Sequence, residues 1–127
     1  MLGTWAGDCV ERVLPCFEKR YPNDDRPRKA IEALREWVET GVFHMADVRR
    51  VSLASHAAAR EVAGDDTARS VARSAGQAMA TAHVKTHSAV AAIYAVTAVY
   101  YATDSSMNAV NAERAWQYKH LRDLQGE

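Results

Sequence analysis

Cysteine is scarce in this chain, and neither sign of charge prevails. Two cysteines in 127 residues allow at most one disulfide. Cys9 and Cys16 fall on a stretch whose spacing predicts one helix, which sets their Cα atoms about 10.5 Å apart, beyond the ~7 Å that a disulfide tolerates. Free thiols of a reducing, cytoplasmic compartment are therefore expected. Sixteen basic and sixteen acidic residues cancel, so no net field draws the chain toward nucleic acid or an anionic membrane, and neither is expected as a partner. The longest apolar run, Ala89 to Ala102, is interrupted by Thr97 and three tyrosines and falls short of the ~20 residues a bilayer demands. No charged-then-apolar leader and no lipidation signal is visible.

Other absences remove enzyme classes. There is no Gly-rich phosphate loop, no Gly-x-Ser-x-Gly elbow and no Cys-x-x-Cys pair. Cys9 and Cys16 read as small apolar fillers of a helix rather than nucleophiles. No segment alternates apolar and polar residues over a strand's length, so strands are not expected.

What is present is helical punctuation. Asp24 or Asp25 can cap the stretch Arg26 to Val38, and Pro27 sits where a missing N–H costs little. Ala30, Ile31, Leu34, Trp37 and Val38 then recur on one face, with Arg28, Lys29, Glu32, Arg35 and Glu36 on the other. The same reading predicts about six helices. The first runs from a Thr4 cap to Lys19 and bends at Pro15. The second ends at Gly41, and the third spans Met45 to Ala63 before Gly64. The fourth starts at Asp65 or Asp66 and runs to Ala82. The fifth takes Ser88 to Ala102, and the last follows Asp104-Ser105-Ser106 to the end.

The expected fold is all-α: one domain over residues 1–127, a bundle of mostly up-and-down antiparallel neighbours with alanine-rich central helices. Thr67 to Thr103 contains twelve alanines and no acidic residue, which favours close approach of backbones. Gly76 falls mid-helix, where a glycine costs about 1 kcal/mol, and a closely crossing neighbour is the expected reason. Tyr94, Tyr100 and Tyr101 are core candidates whose hydroxyls need partners.

Five histidines are the remaining chemistry-bearing residues. Up-and-down packing would bring His44, His83, His87 and His120 to one end of the bundle with Asp8, Glu39 and Asp47. That mixture could hold zinc or another divalent ion, or act in acid–base chemistry, so the four histidines are candidate metal ligands. The plainer reading is that histidines collect at helix ends because imidazolium favours the C-terminal dipole. His56 lies mid-helix level with Arg73 and is expected to be a hydrogen-bonded, partly buried histidine. No catalytic residue and no cofactor is assigned.

Several segments carry a resemblance: Trp5-Ala6, Asp8-Cys9 with Glu11 to Pro15, Tyr21-Pro22, Asp24 to Ala33, His56 to Glu61, and Ala75 to Val84. Together they resemble the bacterial immunity-protein family named after immunity protein five of the polymorphic toxin systems. The resemblance implies a helical fold and a protein that binds and neutralises a cognate bacterial toxin in the producing cell by covering its active or entry surface. It supplies no functional residue to transfer. The balanced charge means that any acidic recognition of a cationic toxin must be local. The alternative is a small metal-dependent or acid–base enzyme using the histidine end cluster. A third reading is a non-catalytic regulator or self-associating bundle.

Overall fold

Pro15 has no N–H to offer the carbonyl four residues before it, so a helix that reaches it must restart. A computed structural model of the chain describes residues 1–42 and 44–126. In it the first expected helix is two: α1 (Leu2–Glu11) and α2 (Leu14–Glu18), with Pro15 in the first turn of the second. The break lies just ahead of the proline, where Val13 N–H bonds Val10 O and Cys16 N–H bonds Val13 O, each at 2.9 Å. Thr4 is inside α1 rather than its cap, because the helix begins directly after Met1. The remaining elements are α3 (Arg26–Thr40), α4 (Met45–Glu61), α5 (Asp66–Ala80), α6 (His87–Ala102) and α7 (Met107–Leu124). Among the described residues there are seven helices and no strand.

The termini follow local chemistry. Asp65 Oδ1 accepts from Ala68 N–H and Ser106 Oγ from Ala109 N–H, both at 3.1 Å. Asp25 holds the cap position of α3 without a side-chain bond, and it is Asp24 that accepts from Arg26 N–H at 3.2 Å. Gly41 closes α3 in the left-handed region at φ 71°, its N–H donating to Trp37 O at 2.8 Å. α4 stops at Glu61, short of Gly64, when Val62 N–H turns back to Ala59 O.

α5 is the hub. It packs on α6, α4, α3, α1 and α2, and Ala68, Val71, Ala72, Ala75 and Ala78 along it are wholly buried. Serine hydroxyls zip its contacts. Ser52 and Ser55 of α4 donate to Gly76 O and Ala72 O at 2.9 and 2.7 Å, and Ser74 donates to Ala91 O of α6 at 2.7 Å. On α4 the partner number falls as the other rises, and on α6 Ala91 meets Ser74 while His87 meets Gln77, which makes α4, α5 and α6 successive antiparallel helices. Such bonds let small polar residues sit in an alanine interface without an unsatisfied group. A Cβ on Gly76 would lie 2.7 Å from His56 Nε2, so the crowding neighbour is a ring on α4.

α1 lies against α3 by the same economy of side chains. A Cβ on Gly3 would stand 2.6 Å from Trp37, and one on Gly7 2.9 Å from the Arg35 guanidinium. Val10, Leu14, Phe17, Ile31 and Leu34 fill the space beneath. α6 buries Ser88, Ala91, Ala92, Ala95 and Ala98 but leaves Ile93 outside. Of the tyrosines proposed for the core, Tyr94 and Tyr100 are half-buried and Tyr101 is exposed.

Candidate partner-binding surface

α7 closes the bundle and presents two different flanks. Toward α1 it carries Glu113, Trp116 and His120, at the 3/4 spacing of one stripe. Arg12 grips Glu113 with two bonds of 2.7 and 3.0 Å while its guanidinium lies 4.0 Å from the Trp116 ring centre. Trp116 in turn stacks on His120 at 4.7 Å, and His120 Nε2 meets Asp8 Oδ2 at 2.7 Å. The ribbon continues from Asp8 to Arg35 at 2.8 Å, and through Glu11 to Arg28 and Glu18 at 3.0 and 2.8 Å. The hydrogen bond from Arg28 holds the Glu18 carboxyl below its ordinary range. Every carboxylate on this flank already has a cation, so it offers no free acidic lure.

The candidate histidines separate along this geometry. His120 joins Asp8, as the expected cluster required, and His87 Nδ1 pairs instead with Gln77 Oε1 at 2.6 Å. His44, at the cap position of α4, and His83, beyond α5, are exposed. Among the described residues no three of the His, Cys, Asp and Glu side chains form a group able to hold a metal ion. His44, His83, His87 and His120 are thus not gathered as a metal site there. His56 is where its spacing placed it, Nδ1 at 2.9 Å from an Arg73 nitrogen. Burial, then the charges of Arg73 and Arg60, push its pKa down. Cys9 and Cys16 are unbonded, and burial raises the Cys9 thiol to about 12, out of reach of nucleophilic chemistry near neutrality.

The other flank of α7 carries Arg114, Tyr118 and Leu121 and faces α6 across an apolar groove of about 410 Å³. Ala89, Ile93 and Val96 line the α6 side, and Trp5 reaches in from α1. Gln117 fixes the walls: its backbone carbonyl accepts from Trp5 Nε1 at 2.8 Å, and its side-chain Nε2 donates to Ala92 O at 3.0 Å. Ile93 and Tyr118 remain 63% and 64% exposed at the rim, large apolar surfaces left to water. This groove escaped the sequence reading. Its signal was there in an α6 apolar on every side beside a helix with Arg114, Tyr118 and Leu121 in register, and a helix apolar all round needs cover on all sides.

One family accounts for nearly the whole chain: the sequence model described as "Imm-5 like putative immunity protein" matches residues 1–124. The chain belongs to that family. No curated protein and no solved structure matches it. In this immunity-family chain the segments that carried the resemblance join helix to helix. Arg26 bridges Asp24 and Glu61, Arg28 bridges Glu11 and Glu18, and Asp65 receives both Arg20 and Tyr21. His56 lies under Gly76. Those residues are bound within the bundle, and the α6–α7 groove lies outside all of the segments quoted except Trp5-Ala6. No described helix is long and apolar enough to cross a membrane.

Proposed function

We propose that this protein is an immunity protein that binds a cognate bacterial toxin and neutralises it in the cytoplasm of the cell that makes both. The observation that carries the reading is the family match over residues 1–124. The geometry supports it in kind: a helical body cross-tied by ion pairs is a stiff template, and stiff templates lose little ordering entropy on binding. Inhibition then rests on complementarity over about 800 Å² of each partner, with a few aromatic or arginine contacts dominating the affinity.

The test is co-expression. A candidate toxin domain taken from the genes flanking the one for this chain is induced in a susceptible host with and without it, and the purified pair is titrated by calorimetry. Growth restored in the first and a saturable complex in the second are the expected results. A toxin that kills regardless and shows no heat of binding would end this reading.

A further inference from the structure

We propose that the α6–α7 groove is the face that docks the toxin, receiving an apolar side chain beside a carboxylate that pairs with Arg114. This rests on the immunity reading above and names the surface and chemistry through which it works.

Two features of the groove select the occupant. Between its ends α6 has no charged side chain, so its wall offers no ionic partner and mainly apolar contact, through Ile93 and Val96, with the Thr97 hydroxyl turned onto Ile93 O. Opposite stands Arg114, exposed, with no ion pair among the described residues. Arg12, on the far side of α7, has Glu113. No acidic residue lines the groove. The negative complement to Arg114 must therefore be brought by whatever docks. A guanidinium at an apolar rim favours a carboxylate, which it can grip with two bonds once water is displaced. Tyr118, with the Arg122 guanidinium 5.7 Å from its ring centre, adds an aromatic wall of the kind that dominates interface energetics.

A second copy of this chain is a poorer fit. A two-fold pairing through the groove sets the same patch on both sides, and that patch is cationic and holds no acid. Like charges would face each other where a complement is needed. A partner with an apolar residue flanked by Asp or Glu satisfies both walls, and the Gln117 bonds tie α7 to α1 and α6 so that the walls are set before it arrives.

The experiment uses the full chain, the toxin domain that the co-expression test above pairs with it as the probe, and calorimetry. Ile93→Asp and Arg114→Glu should each weaken binding by at least about tenfold, the scale of an interface hot spot. Arg114→Ala should weaken it less than Arg114→Glu, since only the latter adds repulsion. Leu53→Asp, which places a charge on an exposed apolar residue of α4, should bind as the parent does. Circular dichroism checks each fold, and Tyr118→Ala reads the groove without adding charge should Ile93→Asp unfold. A parent that binds while all groove variants bind equally overturns the groove and leaves the immunity reading standing. Equal losses for Arg114→Ala and Arg114→Glu overturn the carboxylate. A parent that forms a dimer split by Ile93→Asp assigns the face to self-association and overturns the proposal. A parent that binds no toxin removes the immunity reading and this one with it.

Discussion

At position 76 a missing Cβ makes room for an imidazole. Replacing Gly76 with Ala gains about 1 kcal/mol of helix propensity, while forcing a methyl toward the His56 ring costs about 1–3 kcal/mol. The ring is held by Arg73 and cannot swing freely, so the expected outcome is a lower denaturation midpoint for Gly76→Ala. In a His56→Ala background the same change should become stabilising, and a urea titration of the four proteins reads both signs. His56 also makes stability depend on pH. Burial and the neighbouring arginines depress its folded pKa, so the unfolded chain takes up the proton first as pH falls. Stability is unaffected above the unfolded value of about 6.5, declines as pH drops below it, and levels off below the folded pKa. Denaturant midpoints between pH 8 and pH 5 should fall less for His56→Gln than for the parent.

Among the elements, the start of α5 depends on one carboxylate serving two purposes. Asp65 caps the helix through Ala68 N–H and receives Arg20 at 2.6 Å and Tyr21 at 3.1 Å, which ties the turn after α2 to the head of α5. Burial alone would raise its pKa; the three bonds together outweigh that and hold it below the ordinary range. The stability it contributes is present above the unfolded pKa and is lost as pH falls through the folded value, below about 4. Asp65→Ala should cost about 1–2 kcal/mol near neutrality, with most of the loss recovered by Asn, which still caps. Arg20 is largely exposed, so its pair adds little. Thermal midpoints of the two variants test this, and an Asn variant as weak as the Ala variant would make the charge the dominant part. The α1–α2 break belongs to this scale too. Pro15 announced a disturbance, but where the chain yields was decided by the turn at Val13 that lets both Val10 and Leu14 stay buried.

For the whole molecule, α5 touches five other helices, so none of those five can leave without exposing its alanine and serine interfaces. We expect one domain and one unfolding transition. Helical dichroism and tryptophan fluorescence should report the same midpoint, because Trp5 on α1 is bonded to the α7 backbone and Trp37 and Trp116 pack against the core. An earlier fluorescence change would mean that α7, packed on α6 and α1, peels away first. At this scale the candidate site was poorly legible. Chain arithmetic gives a residue's height along a bundle, not the side it faces. His87 points to Gln77 and His120 to Asp8, while His44 and His83 remain at the surface. A turn of about 100° per residue sends neighbours in height to different faces.

Features set by neighbours along the chain could be read from the residues alone. The buried positions Ala30, Ile31 and Leu34 of α3, the left-handed stop at Gly41, and a capping residue within Asp65-Asp66 and within Asp104-Ser105-Ser106 follow from backbone geometry over a few residues. Val38, expected on the same face of α3, is instead exposed, and the single helix expected to separate Cys9 from Cys16 is broken ahead of Pro15. Gly76 was also legible, since a helix glycine implies a close neighbour, although only the fold shows that the neighbour is His56. Tertiary structure alone decided which distant charges meet, as with Arg12 and Glu113 or Arg26 and Glu61. It also left one side of α6 open beside Arg114. Alanine and serine interfaces carry no spacing signal for azimuth or partner, so the choice of which apolar face is covered is made only when whole helices pack.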